Sequence, residues 1–338
     1  MASRFSVSEW DEMKAVTILK YDEIEPHLEL REKEIPTPKE NEVRIKIHLS
    51  PINPSDLMFI RGLYGFKKKA PVSAGFEASG TVDAVGSAIK TLKVGMAVSC
   101  VAPQNDGSWA EYMITTEDNC LPLVDGVTLD EGSSFFVNPM TAWAMVSRCQ
   151  KEGHQAMIQT AAASALGKMV VRLCKEKGIP LINIVRKKEQ EDTLTEIGAE
   201  HILNSSSPNY QKDLFKLSKK LNATYAIDAV AGETAQSLVE CMPYGAKIVC
   251  YGALSEKPFS VNSGIILFQN KKIEGFWLSS WIYEIGLEEF QKQAKEAQKY
   301  LKTVFQTKIN KRFKFEEYKE GLEFYKQHMT EGKVVFGP

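Results

Sequence analysis

The sequence predicts an α/β protein in which a doubly wound parallel sheet follows an all-β barrel, with the C-terminal tail completing the barrel. Three observations carry this prediction. Residues from about Lys14 to Leu123 read as short strands punctuated by proline and glycine. From about Ser133 helices alternate with strands, the pattern of a parallel sheet whose ligand crevice lies at the carboxyl ends of its strands. Inside that second half, Ala156 to Arg186 reads as one strand–turn–helix–strand unit around which the chain is organised.

The N-terminal strands are KAVTIL, HLELRE, EVRIKIHLSPIN, GFEASGTVDAVGSAI, GMAVSCVA and SWAEYMI, separated by Pro36, Pro38, Pro51, Gly62, Gly65, Gly75, Gly80, Gly86 and Gly95. A helix through Thr141 to Cys149 leads into the central unit. That unit opens with Met157 and Ile158 and passes through a turn lined by Ala161, Ala162, Ala163, Ser164, Ala165 and Gly167. Leu166, Met169, Val170 and Leu173 then share one helical face, and Leu181 to Val185 forms the second strand. Small residues leave room for a ligand at the turn, and the unpaired N–H groups and partial positive charge of the helix start suit a pyrophosphate. Gly167 is the one glycine retained from a GxGxxG pattern, and a plain αβ hairpin with close packing would also place small residues here. The position of the turn inside the unit favours dinucleotide binding.

Arg186, Lys187 and Lys188 end the second strand, where an NAD-binding chain carries an acid for the ribose 2′-hydroxyl. A basic group there favours a 2′-phosphate. The expected cofactor is therefore NADPH, with Arg186 as the phosphate contact ahead of the two lysines. Beyond it the pattern predicts a helix near Gln190 to Ile197, a strand at Tyr225 to Asp228, a helix near Glu233 to Glu240, and strands at Lys247 to Tyr251 and Lys272 to Phe276. The tail reads as a charged helix from Glu284 to Leu301, a strand near Lys308 to Arg312, a helix near Glu316 to His328 and a strand from Lys333 to Phe336. Domain boundaries follow at 1–132, 133–283 and 284–338, the last segment returning to the first domain.

Composition narrows the function. A chain of 338 residues with a formal net charge of −1 can bury one large or two moderate cores, and nothing marks it as a binder of nucleic acid or membrane surfaces. No apolar run approaches the roughly 18 residues of a spanning helix. The start MASRFSVSEWDEMK mixes acids with bases and has neither an apolar signal segment nor an acid-free presequence, so the expected compartment is the cytoplasm. Six cysteines lie far apart with no CxxC, as in reduced, mostly buried thiols, and the five histidines have no ligand-like spacing.

Four motifs, Ile52-Asn53-Pro54-Ser55-Asp56, Gly75-Phe76-Glu77-Ala78-Ser79-Gly80, Gly95-Met96-Ala97-Val98 and Gly332-Lys333-Val334-Val335, carry a resemblance over nearly the whole chain to the medium-chain dehydrogenase/reductase superfamily. The resemblance implies a GroES-like N-terminal barrel and a Rossmann sheet. Zinc-dependent members carry a cysteine where this chain has Asn53 and Gly-His-Glu where it has Gly75-Phe76-Glu77. The cluster of four cysteines that holds their structural zinc is absent, because Val98 to Trp109 contains only Cys100. The expectation is a zinc-free enzyme that reduces an activated C=C bond or a quinone, since alcohol oxidation would lack its electrostatic support.

Within the zinc-free branch the chain is similar to the enoyl-thioester reductases. The matching stretches are Asn53 to Asp56 with Arg61-Gly62-Leu63-Tyr64-Gly65, Val137 to Trp143, Ile158 to Gly167, Ile184-Val185-Arg186, Tyr251 to Leu254, and Gly275 to Ser279. The turn departs from the family's Asn-Ser-Gly-Val-Gly by reading Ala163-Ser164-Ala165-Leu166-Gly167. The resemblance implies Tyr64 as the donor to the enolate oxygen and Asn53 as a hydrogen-bonding partner near the nicotinamide ribose. It places Asn138 and Thr141 at the nicotinamide end, although Asn138-Pro139 is equally a plain helix start. Ser164, Ala165, Leu166 and Gly167 would take the pyrophosphate, and Tyr251, Gly252, Ala253 and Leu254 would run along the cofactor. Phe276, Trp277 and Leu278 would hold the carboxamide through backbone groups, with Lys333 reaching from the barrel side. The run Lys67-Lys68-Lys69 reads as a solvated loop or as a contact for coenzyme A phosphates. The alternatives are an NADPH:quinone reductase, whose branch has a tyrosine in a similar loop, and a non-catalytic NADPH-binding protein of the lens-structural or RNA-binding kind. A homodimer joined along the sheet edges is expected by analogy.

Overall fold

Alternating burial along the N-terminal strands builds the first half of the molecule. In β3 (Glu42–Pro51) Val43, Ile45, Ile47 and Leu49 all point inward, the two-residue period that an antiparallel strand imposes. It is preceded by β1 (Glu12–Lys20) and β2 (His27–Glu34) and followed by α1 (Pro54–Ile60), β4 (Val72–Ser73), β5 (Glu77–Val85), β6 (Ala97–Val101), β7 (Tyr112–Thr116), β8 (Cys120–Pro122) and α2 (Leu129–Gly132). The alternating segment continues with α3 (Asn138–Lys151), β9 (Ala156–Gln159), α4 (Ala165–Glu176), β10 (Leu181–Val185), α5 (Lys188–Glu196), β11 (His201–Asn204), α6 (Tyr210–Leu221), β12 (Ala223–Asp228), α7 (Gly232–Cys241), β13 (Lys247–Cys250), α8 (Ser263–Gln269), β14 (Lys272–Gly275), α9 (Leu278–Ile285) and α10 (Leu287–Gln298). The tail adds β15 (Ile309–Lys314), α11 (Tyr318–Gln327) and β16 (Lys333–Gly337).

This computed structural model describes residues 11–338, in two units: the chain up to Phe136 together with Thr307–Pro338, and Val137–Gln306. In the first unit β16 pairs antiparallel with β3, setting Phe336 opposite Ser50, and parallel with β15. The tail thereby delivers Phe336 to the core, its ring 5.0 Å from that of Trp109. Gly321 on α11 allows this, since a Cβ there would lie 2.6 Å from the Phe336 ring.

The second unit holds a six-stranded sheet in the order β11-β10-β9-β12-β13-β14, with every neighbouring pair parallel. Strand order reverses between β9 and β12, so the ligand crevice of such a sheet falls at their carboxyl ends. β9 and β10 are buried along their whole length, as a sheet covered on both faces requires. Leu166, Met169, Val170 and Leu173, the face predicted for α4, are all buried.

The sequence reading and the structure differ at identifiable places. The strand predicted through Asn53 stops at Pro51, and α1 follows with a proline in its first turn. β11, α6 and α8 lie outside the elements expected from the sequence, although Tyr210, Leu214, Leu217 and Leu221 recur at helical spacing along α6. The charged helix expected from Glu284 starts only at Leu287, because Gly286 at φ 80° breaks it from α9. Residues 284–306 also stay with the second unit: Phe290 is buried against Trp281, and the Trp143 Nε1–H donates to Gln293. Only residues 307–338 return to the barrel. The reason is apolar burial on α10, which a count of charged residues conceals. No helix among the described residues is long and apolar enough to cross a membrane.

Candidate active site

The second unit supplies a cradle for an anion. Ser164 caps α4, its Oγ accepting from the Gly167 N–H at 3.0 Å, which leaves the first N–H groups at Ala165 and Leu166 without intrahelical partners. A Cβ on Gly167 would lie 2.3 Å from the Ala162 carbonyl oxygen, so the turn closes onto the helix only with glycine there. Ala161, at φ 48°, takes the left-handed conformation that lets the chain reverse ahead of the helix. The residues present fit a pyrophosphate.

Arg186, Tyr251 to Leu254 and Phe276 to Leu278 follow the carboxyl ends of β10, β13 and β14. Arg186 follows β10 with its side chain exposed, while the Lys188 ammonium is taken by Asp192 at 2.7 Å and Glu191 at 3.4 Å. Lys187 is exposed and opens α5. Tyr251, Gly252, Ala253 and Leu254 follow β13; Gly252 lies against Ala229, and the Leu254 N–H donates to the Ala229 carbonyl at 3.0 Å. The Tyr251 hydroxyl is buried with no hydrogen-bond partner among the described residues. Phe276 is buried, its N–H on the Cys250 carbonyl at 2.8 Å, and Trp277 caps α9 ahead of Leu278. Asn138 and the buried Thr141 lie in the first turn of α3, whose cap is Val137 and not Asn138.

Sequence reading missed Asp228 and Thr160, which join the ends of β9 and β12. The Thr160 hydroxyl donates to Asp228 at 2.6 Å, and Asp228 also accepts from the N–H groups of Val230 and Ala231. This holds the loop behind β12 in place.

The first unit contributes a buried polar cluster and an aromatic shelf. Asn53 is 1% exposed and caps α1; its backbone N–H donates to Asp56 at 2.7 Å and its Nδ2–H to Glu77 at 2.8 Å, while its Oδ1 accepts from the Lys333 ammonium. Lys333 is itself 3% exposed. The Ser50 and Ser108 hydroxyls meet the Glu77 carbonyl at 2.8 and 2.9 Å. Burial pushes the Asp56 carboxyl up to about 7, with nearby Glu77 adding and Lys333 opposing. Burial likewise lowers the Lys333 ammonium against the pull of Glu77 and Asp56. Asp56 and Glu77 had no predicted role, although Asn53 and Asp56 have the spacing of a reciprocal cap.

Tyr64 lies in the loop behind α1, its ring 4.7 Å from Phe76, 5.2 Å from Phe66 and 6.4 Å from Phe59. Of the adjacent lysines, Lys68 is turned inward: its ammonium donates to the carbonyls of Ala102 at 2.7 Å and Asn105 at 2.5 Å and sits over the Phe59 ring. Lys68 therefore fits neither the solvated loop nor the phosphate contact expected of the Lys67-Lys68-Lys69 run, of which Lys67 and Lys69 are exposed.

Comparison with known proteins places these features among oxidoreductases. Residues 39–125 match the profile of the alcohol dehydrogenase GroES-like domain, and residues 165–298 match that of a zinc-binding dehydrogenase. The chain is 30% identical over 257 residues to the mitochondrial enoyl-[acyl-carrier-protein] reductase of Caenorhabditis elegans, covering 73% of this chain and 72% of that one. It is 28% identical over 277 residues to the human enzyme of that name, covering 78% and 72%. A structure of a proposed NADPH:quinone reductase from Mesorhizobium loti superposes with a TM-score of 0.90 at 34% identity, covering 97% of this chain and 98% of that one. An enoyl thioester reductase from Candida tropicalis shares the fold, with a TM-score of 0.80 at 22% identity over 97% of this chain and 100% of that one. The residues present do not fit the zinc that one profile's name implies. The Asn53 carboxamide already faces an ammonium, which repels a metal cation, and Phe76 is an aromatic wall; among the described residues no three His, Cys, Asp or Glu side chains are grouped to hold a metal.

Proposed function

The chain belongs to the medium-chain dehydrogenase/reductase superfamily and is an oxidoreductase, and from that premise we propose that it reduces the C=C bond of a trans-2-enoyl thioester, using NADPH and no metal. The observation that carries the reading is Tyr64, a phenol on a rigid aromatic shelf whose other face is Phe76, the residue standing where a zinc-dependent relative carries histidine. Conjugate reduction needs hydride at Cβ, a partner for the charge that develops on the thioester oxygen, and a proton at Cα. Bound NADPH supplies the hydride. A neutral donor aimed at the developing oxyanion stabilises the transition state more than the ground state, and the Tyr64 phenol is suited to that role.

The remaining residues hold and orient the cofactor. The Ala165 and Leu166 N–H groups take the pyrophosphate, with Ser164 and Gly167 fixing their turn, and Arg186 takes the 2′-phosphate. Asn53 meets the nicotinamide ribose, while Asn138 and Thr141 line the nicotinamide end. Tyr251 to Leu254 run along the cofactor, and Phe276 to Leu278 meet the carboxamide. The assembly is read as a homodimer joined through the β14 edge of the sheet.

NADPH reduction of a quinone is the second reading. It is favoured by the 34% identity to the Mesorhizobium loti protein and by the aromatic shelf itself, which suits stacking of a flat ring. NADPH oxidation followed at one wavelength separates the two, with short and medium trans-2-enoyl-CoA set beside 1,4-naphthoquinone for wild type and Tyr64→Phe. The thioester reading expects enoyl-CoA turnover and a fall of about a hundredfold in kcat for Tyr64→Phe. Turnover of the quinone alone, with the variant unaffected, assigns the chain to the quinone reductases.

A further inference from the structure

Asn53 is held at its backbone N–H, at its amide nitrogen and at its amide oxygen. A carboxamide has two orientations of nearly the same shape, related by exchanging oxygen and nitrogen. Here chemistry decides between them. An ammonium only donates and a carboxylate only accepts, so the reversed amide would set its N–H groups against Lys333 and its oxygen against Glu77. Nδ2 makes one hydrogen bond among the described residues, to Glu77, which leaves its second N–H for an acceptor oxygen.

We propose that Lys333 and Glu77 form a charge clamp that fixes which way round the Asn53 carboxamide sits and leaves its second N–H for an acceptor, so that Lys333 is a positioning residue and not a cofactor contact. The clamp draws on three elements: Asn53 comes from the start of α1, Glu77 from β5 and Lys333 from β16, and each of the three side chains is buried. Burying ionisable groups costs stability, and a well-packed apolar replacement of a buried ion pair is often neutral or stabilising. An arrangement of this kind is therefore poorly explained by stability alone. The direction set for the amide is the property that apolar residues of the same size would not reproduce.

The inference rests on the proposed reductase reading only in needing a turnover to measure, and a double-mutant cycle tests it. Kinetics of Lys333→Met, Asn53→Ala and the two combined are read with NADPH and whichever acceptor, enoyl-CoA or naphthoquinone, wild type reduces. A failed thioester assignment thus leaves the clamp testable, and a failed clamp leaves the acceptor unchanged. The expected result is a loss of about ten- to a hundredfold in kcat/KM for each single variant. The combined variant should lose no more than Asn53→Ala alone, and Lys333→Arg should recover most of the activity. Losses that multiply would show Lys333 acting independently of Asn53, and a fully active Lys333→Met would remove the clamp outright. If Lys333→Met does not fold, Lys333→Met combined with Glu77→Gln removes the buried charge from both partners and carries the same cycle.

Discussion

Asp56 combines a helix cap with an unusual protonation. Its carboxyl accepts the N–H of Asn53 through one oxygen while the other is buried with no hydrogen-bond partner among the described residues; it faces Glu77 and Lys333 and lies near enough to Tyr325 to raise that phenol's pKa further. Its value in the fold, about 7, lies above the ordinary 3.8, so the folded chain binds this proton more tightly than the unfolded chain does. The resulting stability is fully present below pH 3.8 and is lost as pH rises through about 7. Asp56→Asn keeps an acceptor and never ionises. Its Tm relative to wild type should therefore climb between pH 5 and pH 8, measured by thermal melts across that range; a flat difference would mean that Asp56 does not take up a proton there. Neither the titration nor the clamp was legible in Asn53-Pro54-Ser55-Asp56, because the burial that raises the Asp56 carboxyl and the two groups that hold Asn53, Glu77 and Lys333, come from strands far away in the chain.

At the level of elements, the β9–α4–β10 unit is where sequence and structure agree most closely, since a helix period and a strand run are local properties. Gly167 shows what the local pattern specified. Replacing it with alanine drives a methyl to 2.3 Å from the Ala162 carbonyl and forces the turn open. The expected outcome for Gly167→Ala is a rise of about tenfold or more in the dissociation constant for NADPH, read by fluorescence titration, because the N–H groups at the helix start lose their alignment. Unchanged affinity would move the cofactor away from this turn. Other elements were hidden for physical reasons. α10 looked like a continuation from Glu284 until the backbone of Gly286 broke it, and β11 is a four-residue strand, too short for a period to show.

Across the whole molecule, the parallel sheet ends on β14, an edge with no further strand among the described residues. Ile273 on that strand is 38% exposed, and Leu267 and Phe268 on α8 are 73% and 82% exposed. An open edge beside exposed apolar side chains is a site for pairing with a second chain. If the proposed homodimer uses this edge, Phe268→Asp together with Ile273→Asp should lower the mass found by light scattering from twice that of the chain to that of one chain; a wild type that is already monomeric would reject the edge interface.

The fold class, most of the strands and helices and the small-residue turn ahead of α4 were legible in the sequence alone, because binary pattern, small residues and helix-start chemistry act over a few neighbouring positions. Tertiary structure alone decided which distant groups meet. It turned Lys68 onto the carbonyls of Ala102 and Asn105, set Cys100 opposite Cys120 across β6 and β8, and closed Lys333 of the last strand onto Asn53. Each of these depends on register between strands far apart in the chain. A long-range register is fixed by burial and by pairing of charges in three dimensions, and no local spacing encodes it.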